Sequence, residues 1–591
     1  QAGRNWLVHG GAYSNQRYSA LDRITRENVG RLTPAWIYET GIAESFDTTP
    51  IVANGVMYLT TAESRVVALD AATGEELWTF VPRIEPVPLC CGPVNRGVAI
   101  LGNLVFVGTL DAHLIALDNR TGQPVWDTPL ADPEEGYSIT MAPLAFDSTV
   151  VVGVSGGEYG IRGFVAALDA RTGKERWRWH TIPAPGEAPN GWWGEWRDSD
   201  PFGMPLPRDI AAEKEDVPRY PQTWRVGGGG VEMTPAYDPA TATLFLSVGS
   251  PAPVLDGSVR PGDNLYTGSV VALDARSGKL RWYFQEVPHD LWDLSPTSPP
   301  FLFDAGGRTL LAQAGNTGWL YVVDAANGNP VLRSDNFLPQ ENLFVPPTEQ
   351  GTRMAPGADG GAGTSAAAFS PRTGYAYVLG IHDPMVFTVR PGTDRTEGNL
   401  WLAGSFRRLP GQDRWATLAA IDLASGDIAW QLRFSRPTFG APLATAGDLV
   451  FVGQADGRFE AFDAVDGRRL WSYRTGSGVH GGPVTYLIGE TQYVAVASGG
   501  NYHLNTRRGD NVIAFTLHDN APAQTPARYE APEFPRAGPL RPGAARQLPA
   551  QPRARPDAGG AGDTAGGGGA TRDTAGAGGG QGRANVDPGV P

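Results

Sequence analysis

ALDAATGEELW (68–78), ALDNRTGQPVW (116–126) and ALDARTGKERW (167–177) are copies of one phrase, and that phrase decides the fold. It returns as ALDARSGKLRW (272–282), VVDAANGNPVL (322–332), AIDLASGDIAW (420–430) and AFDAVDGRRLW (461–471). Each copy reads as strand, tight turn, strand. The apolar pair closes one strand, Asp caps the turn, Gly supplies a positive φ, and Trp opens the next strand. Apolar β runs precede most copies, among them 51–59, 104–109 and 449–453. The turn aspartates Asp70, Asp118 and Asp169 stand 48 and 51 residues apart, the period of a four-stranded propeller blade.

Seven copies predict seven blades. An eighth is best assembled from both ends, with inner strands from NVIAFTL (511–517) and the outer strand from LTPAWIYET (32–40), which pairs edges otherwise left open. The fold class is therefore all-β, an eight-bladed β-propeller over residues 1–520 closed by N- and C-terminal strands. From Asp169 to Asp274 and from Asp324 to Asp422 the interval is about twice the period, which predicts blades with long insertions. Segments 183–226, rich in Trp and Pro, and 333–359 are such excursions. The motif tryptophans read as packing between blades. Residues 521–591 are rich in Ala, Gly, Pro and Arg with no Trp, a composition that cannot offset chain entropy and predicts a disordered tail.

The composition agrees. Among 591 residues are 77 Gly and 50 Pro, and only 19% are charged, which suits many short strands joined by turns. A net charge of −14 opposes nucleic acid and anionic membranes and suits a basic protein partner. No apolar run of about 18 residues predicts a transmembrane segment. The opening Gln-Ala-Gly-Arg-Asn-Trp carries no signal peptide and reads as a mature chain with its leader removed. Cys90 and Cys91 are the whole cysteine supply. On their own they read as a strained disulfide or as two buried thiols, and the first requires an oxidising compartment. There is no Cys-x-x-Cys-His for a c-type haem, and no P-loop, HExxH or nucleophile elbow in the right context.

Four phrases carry a resemblance: Gly10-Gly11-Ala-Tyr-Ser-Asn-Gln-Arg17-Tyr18-Ser19, Cys90-Cys91-Gly-Pro-Val-Asn-Arg96-Gly, Ser155-Gly156-Gly157-Glu158-Tyr-Gly-Ile-Arg162-Gly and Pro288-His289-Asp290-Leu291-Trp292-Asp293. With the repeats, they resemble the quinoprotein alcohol dehydrogenases. These are eight-bladed propellers with W-docking repeats that use pyrroloquinoline quinone (PQQ), methanol and ethanol dehydrogenases among them. The resemblance implies that Cys90 and Cys91 form a disulfide ring flat against PQQ. It gives Arg96 a quinone oxygen or cofactor carboxylate. Thr140, Ser155 and the backbone of Gly156 and Gly157 would meet cofactor carboxylates, and Asp47 stands where the family has Glu or Gln. Glu158 would ligate Ca²⁺. Asp293 would be both metal ligand and general base, taking the alcohol proton while hydride passes to the quinone, whose carbonyl the metal polarises. Ser295 replaces the extra Asp of lanthanide-dependent members, which favours calcium.

The other half of the pocket departs from the family. Ser250 replaces a metal-ligating Asn, Glu232 a Trp that stacks on the second face of PQQ, and Asn316 a Lys or Arg near the reacting carbon. Gly363 falls in a degenerate Gly-Gly-x-Asn-Trp phrase, and Phe439 replaces a late Trp. Two functions follow. One is PQQ- and Ca²⁺-dependent oxidation of an alcohol or sugar hydroxyl, in the periplasm or outside the cell, with electrons passed to a separate acceptor such as a soluble cytochrome c. The other is a propeller that has lost PQQ and serves as a binding or scaffold protein. The retained Cys90, Cys91 and Asp293 argue for the first.

Overall fold

The computed structural model describes residues 3–542, apart from 86 and 190. Among them, short strands, antiparallel except for Tyr18–Ser19 against Leu443–Thr445, form eight sheets of at least four strands and a ninth of three. The first sheet sets the pattern: Ile51–Ala53, Val56–Thr60, Val66–Asp70 and Glu76–Phe80 are neighbours in space as in sequence. The apolar β run 51–59 forms two strands. Asn54 and Gly55 have φ of 52° and 84° and make a two-residue hairpin turn there.

The repeat phrase behaves as its chemistry dictates. Asp70 Oδ1 accepts from the backbone N–H of Ala72 and Thr73, both at 2.9 Å, and from the Thr73 hydroxyl. Gly74 takes φ 75°. A Cβ there would lie 2.6 Å from the ring of Trp36, so glycine is needed for two reasons. Trp36 Nε1–H donates to the carbonyl of Ala71. Thus the tryptophan of one sheet docks on the turn of the next. Trp78, Trp126, Trp177 and Trp282 donate in turn to Asn119, Ala170, Ala275 and Ala325. Leu332, the one copy without Trp, packs on Gly426, and Trp430 donates to Ala464. Trp471 donates to Leu32, at the start of the strand that carries Trp36. Apolar clusters fill the spaces between successive sheets, and one unites strands near both ends of the described chain.

The last sheet joins the two ends. Leu32–Glu39 forms its edge against Asn511–Leu517, followed by Thr491–Ser498 and Val484–Ile488. The run 511–517 therefore takes the third place, and the two inner strands come from upstream segments. Residues 6–19 then cross the first strands of the sheets. They bond to Val52, Tyr237, Leu302, Phe369 and Ala444, and Tyr13 reaches Ala145. The buried Arg17 guanidinium donates to the carbonyls of His9, Pro442 and Pro483 at 2.7–3.0 Å. The first strands converge on this segment.

Both long intervals hold excursions. Segment 183–226 contains the short helix Ile210–Asp216, pinned by a buried Arg208 between Glu213 and Asp263. The second excursion lies largely inside the sixth sheet: between Tyr375–His382 and Trp415–Asp422 the chain makes Met385–Val389 and Gly404–Arg408, and the first of these sits between the second and Thr352–Met354 in the three-stranded sheet. The boundary placed at 520 falls too early. Residues 521–542 bond edge to edge with Arg469, Arg433 and Arg333 through Ala527, Glu530 and Leu540. Tyr529 and Phe534 pack on the cores beneath. Backbone pairing and two aromatics hold a segment that composition alone read as unstructured. The remainder of that expected tail, 543–591, lies outside the described residues.

Candidate active site

One cavity gathers loops from every sheet. Its wall includes His9, Asp47, Cys90, Cys91, Arg96, Thr140, Ser155, Gly157, Glu158, Glu232, Ser250, Asp293, Asn316, Asp359, His480 and His503. Every site residue expected from the sequence is in this wall except Gly156. That glycine makes the turn before Glu158 at φ 107°, where a Cβ would lie 2.0 Å from the carbonyl oxygen of Gly136.

Cys90 and Cys91 are joined by a disulfide, with Cα atoms 3.8 Å apart. The next residue, Gly92, has φ 87° and packs on Tyr502. Glu158 Oε1 lies 3.0 Å from Cys90 Sγ. A disulfide sulfur has no hydrogen, so a hydrogen bond there requires a protonated Glu158. Burial and the nearby Glu232 push Glu158 up to about 8, consistent with that form. Burial also raises Glu232, against the pull of Arg96.

Arg96 is the only Arg or Lys in the described cavity wall. Its Nη1 donates to Thr140 Oγ1 at 2.8 Å, and Thr140 Oγ1 lies 2.7 Å from Ser155 Oγ. One guanidinium and two hydroxyls thus form a patch suited to an anionic group. Asp47 accepts from Asn501 Nδ2 and is raised by burial. Gly157, Gly230 and Gly249 bring their backbones together: a Cβ on Gly157 would lie 3.1 Å from Gly230 N, and one on Gly249 3.3 Å from Gly230 O. Side chains are excluded from that stretch of wall.

Asp293 stands on a backbone of φ 58°, which costs a non-glycine residue about 1 kcal/mol or more. The preceding residues hold it there. Asp290 accepts from Trp292 N and from Ser295 Oγ at 2.6 Å, and Trp292 Nε1 donates to Val345 O. Ser295 thereby spends its hydroxyl on the loop. Ser250 Oγ–H donates to Asp293 Oδ1 at 2.7 Å. Burial, helped by Asp290, Asp359 and Glu232, pushes Asp293 up to about 7 despite that hydrogen bond. Asn316 is committed elsewhere: its Nδ2 donates to Ser295 O and its Oδ1 accepts from Gly363 N, both at 2.9 Å.

The comparisons with known proteins fit this wall. The family model described as "PQQ: Glucose/ethanol/alcohol dehydrogenase, beta-propeller domain" matches residues 6–336 and 333–494. Quinohemoprotein alcohol dehydrogenase ADH IIB of Pseudomonas putida is 34% identical over 93% of this chain and 83% of its own. The chain belongs to the quinoprotein alcohol dehydrogenase family. Among quinoprotein structures, that of the quinohemoprotein alcohol dehydrogenase from Comamonas testosteroni is 30% identical, with a TM-score of 0.76 over 90% of this chain and 82% of that one. A europium-containing methanol dehydrogenase is 28% identical, also with a TM-score of 0.76, over 88% and 99%. Against the family phrases, the sequence reading missed His9, His480, Asp359, His503 and an apolar arc of Met233, Leu402 and Phe406. Asp359 adjoins the degenerate Gly360-Gly361 phrase and His503 lies three residues after Gly499-Gly500, so a nearby glycine pair is the only local sign of either.

Proposed function

We propose that this quinoprotein oxidises an alcohol with PQQ, with Asp293 as general base and a calcium ion held in part by Glu158, Ser250 and Asp293. The observation that carries the reading is the meeting, in one cavity, of the Cys90–Cys91 disulfide, the Arg96 patch and a carboxyl raised to about 7. Bound PQQ supplies a quinone that accepts hydride, and calcium supplies a Lewis acid. Arg96, Thr140 and Ser155 would bind carboxylates, and the glycine backbones would let a flat group approach. The raised Glu158 and Asp293 mark a deficit of positive charge that a cation relieves. Among the described residues no three of His, Cys, Asp and Glu are placed to hold an ion by themselves. Calcium takes about 6–8 oxygens, so the reading requires further ligands from the cofactor.

Asp293 orients the substrate hydroxyl and takes its proton, and a bound cation would keep its buried carboxyl ionised for that role. Ser250 fixes which oxygen of Asp293 faces the cavity. Met233, Leu402, Phe406 and Phe439 exclude water from an alcohol's carbon chain. We read the docking circuit from Trp36 through Trp471 back to Leu32 as an eight-bladed ring closed by its terminal strands. The disulfide fits an oxidising compartment, the periplasm or outside the cell, and electrons would pass to a separate acceptor such as a cytochrome c.

Loss of the cofactor with retention of the fold is the second reading, and Glu232 favours it: a carboxyl cannot supply the π face of an aromatic wall. Retention of PQQ by the wild-type chain separates the two, and Asp293→Asn tests the base. On the first reading the substitution removes alcohol-dependent dye reduction while PQQ stays bound. Turnover unchanged by Asp293→Asn would remove Asp293 as the base.

A further inference from the structure

The cavity holds a second acid–base pair that the reaction above does not use. His503 Nε2 lies 2.5 Å from Asp359 Oδ1, and the other carboxylate oxygen of Asp359 accepts from Arg408. Arg408 and Arg414 share the buried Asp383, so the row is anchored in the insertion of the sixth sheet. The His503 side chain is 34% exposed while that of Asp359 is 12% exposed, so the pair reaches from the cavity wall toward solvent. Its loop is fixed: Asn501 Oδ1 accepts from Leu504 N, Asn501 Nδ2 reaches Asp47, and Tyr502 N donates to Ser45 Oγ. The ring lies beside Phe439, with centroids 6.3 Å apart.

We propose that His503, positioned by Asp359, is the outlet for the proton that alcohol oxidation releases into the cavity. The inference rests on the alcohol-oxidising reading above. An alcohol that gives up a hydride also gives up one proton from its hydroxyl, and that proton must reach water before the next turnover. An ionised Asp359 only accepts, so Nε2 carries the ring hydrogen and Nδ1 offers a lone pair with no protein partner among the described residues. Nδ1 takes the proton, Asp359 stabilises the imidazolium, and the same Nδ1 returns the proton to water or buffer. No electrons move in these steps. The charged groups near the ring are consistent: Asp359 raises His503, against burial and the charges of Arg408 and Arg414, and the histidine's charge in turn lowers Asp47. Although burial raises Asp359, His503 and the two arginines outweigh it and keep the carboxyl ionised.

The test uses the full chain loaded with PQQ and Ca²⁺. His503→Gln is expected to lower the rate at saturating alcohol about tenfold or more in dilute buffer. Added imidazole should restore it, with bound PQQ and KM unchanged. A wild-type rate in dilute buffer, or a deficit that imidazole does not relieve, overturns the proposal. A readout without cofactor is the NMR titration of the His503 ring: its midpoint should fall in Asp359→Asn, and an unmoved midpoint also overturns it. A wild-type chain that binds PQQ but shows no alcohol turnover would instead overturn the underlying reading, even if the titration behaves as expected.

Discussion

Replacing Trp471 by Ala should cost more than the same change at any other docking tryptophan. Trp471 is fully buried, its ring centroid 5.1 Å from that of Phe515 and 5.7 Å from that of Phe459, and its Nε1–H donates to Leu32 O at 3.0 Å. Truncating such a residue costs about 3–5 kcal/mol. Trp78 makes the same kind of hydrogen bond, at 3.1 Å, but is only partly buried. Halving that figure for the lesser burial gives about 2 kcal/mol for Trp78→Ala, the lost hydrogen bond being common to both. Trp471→Phe keeps most of the ring and leaves Leu32 O unpaired, for about 1–3 kcal/mol. Urea unfolding followed by circular dichroism, compared at one denaturant concentration, ranks the three. Trp471→Ala no worse than Trp78→Ala would refute the argument that Trp471 locks the two ends of the chain together.

The acidic cavity gives a pH prediction. Glu158 is raised from 4.5 to about 8 and Asp293 from 3.8 to about 7, so the folded chain holds protons that the unfolded chain has lost. Their contribution to stability is complete below about pH 4 and is lost as pH rises through 7 and 8. Without cation, the melting temperature should fall between pH 5.5 and 8.5, and saturating Ca²⁺ should stabilise more at pH 8.5 than at 5.5; equal calcium shifts at both would contradict this. For Arg96→Gln, losing a charged hydrogen bond worth about 1.5–3 kcal/mol should weaken PQQ binding about ten- to a hundredfold, as read by equilibrium dialysis.

What the sequence disclosed was local. Asp70, Thr73, Gly74 and Trp78 declare a turn and a strand within eleven residues, and seven repeats make the period plain. The phrases around Cys90, Glu158 and Asp293 converge because each lies in a loop between strands that lines the cavity. What stayed hidden depends on distant pairing. Asp359 and His503 are 144 residues apart, and neither sits in a strong local pattern. Residues 521–542 lack a core of their own and are ordered by sheet edges that composition does not show. The commitment of Asn316 to Ser295 and Gly363 likewise needs the fold, since its sequence neighbours give no sign of it.

The most direct test of the whole account is cofactor occupancy. The full chain with Cys90–Cys91 intact, incubated with PQQ and saturating Ca²⁺ and then freed of excess ligand, should retain about one PQQ per chain and reduce a dye when alcohol is added. Loss of all PQQ under those conditions would contradict the account and leave a propeller that keeps the disulfide wall without the quinone.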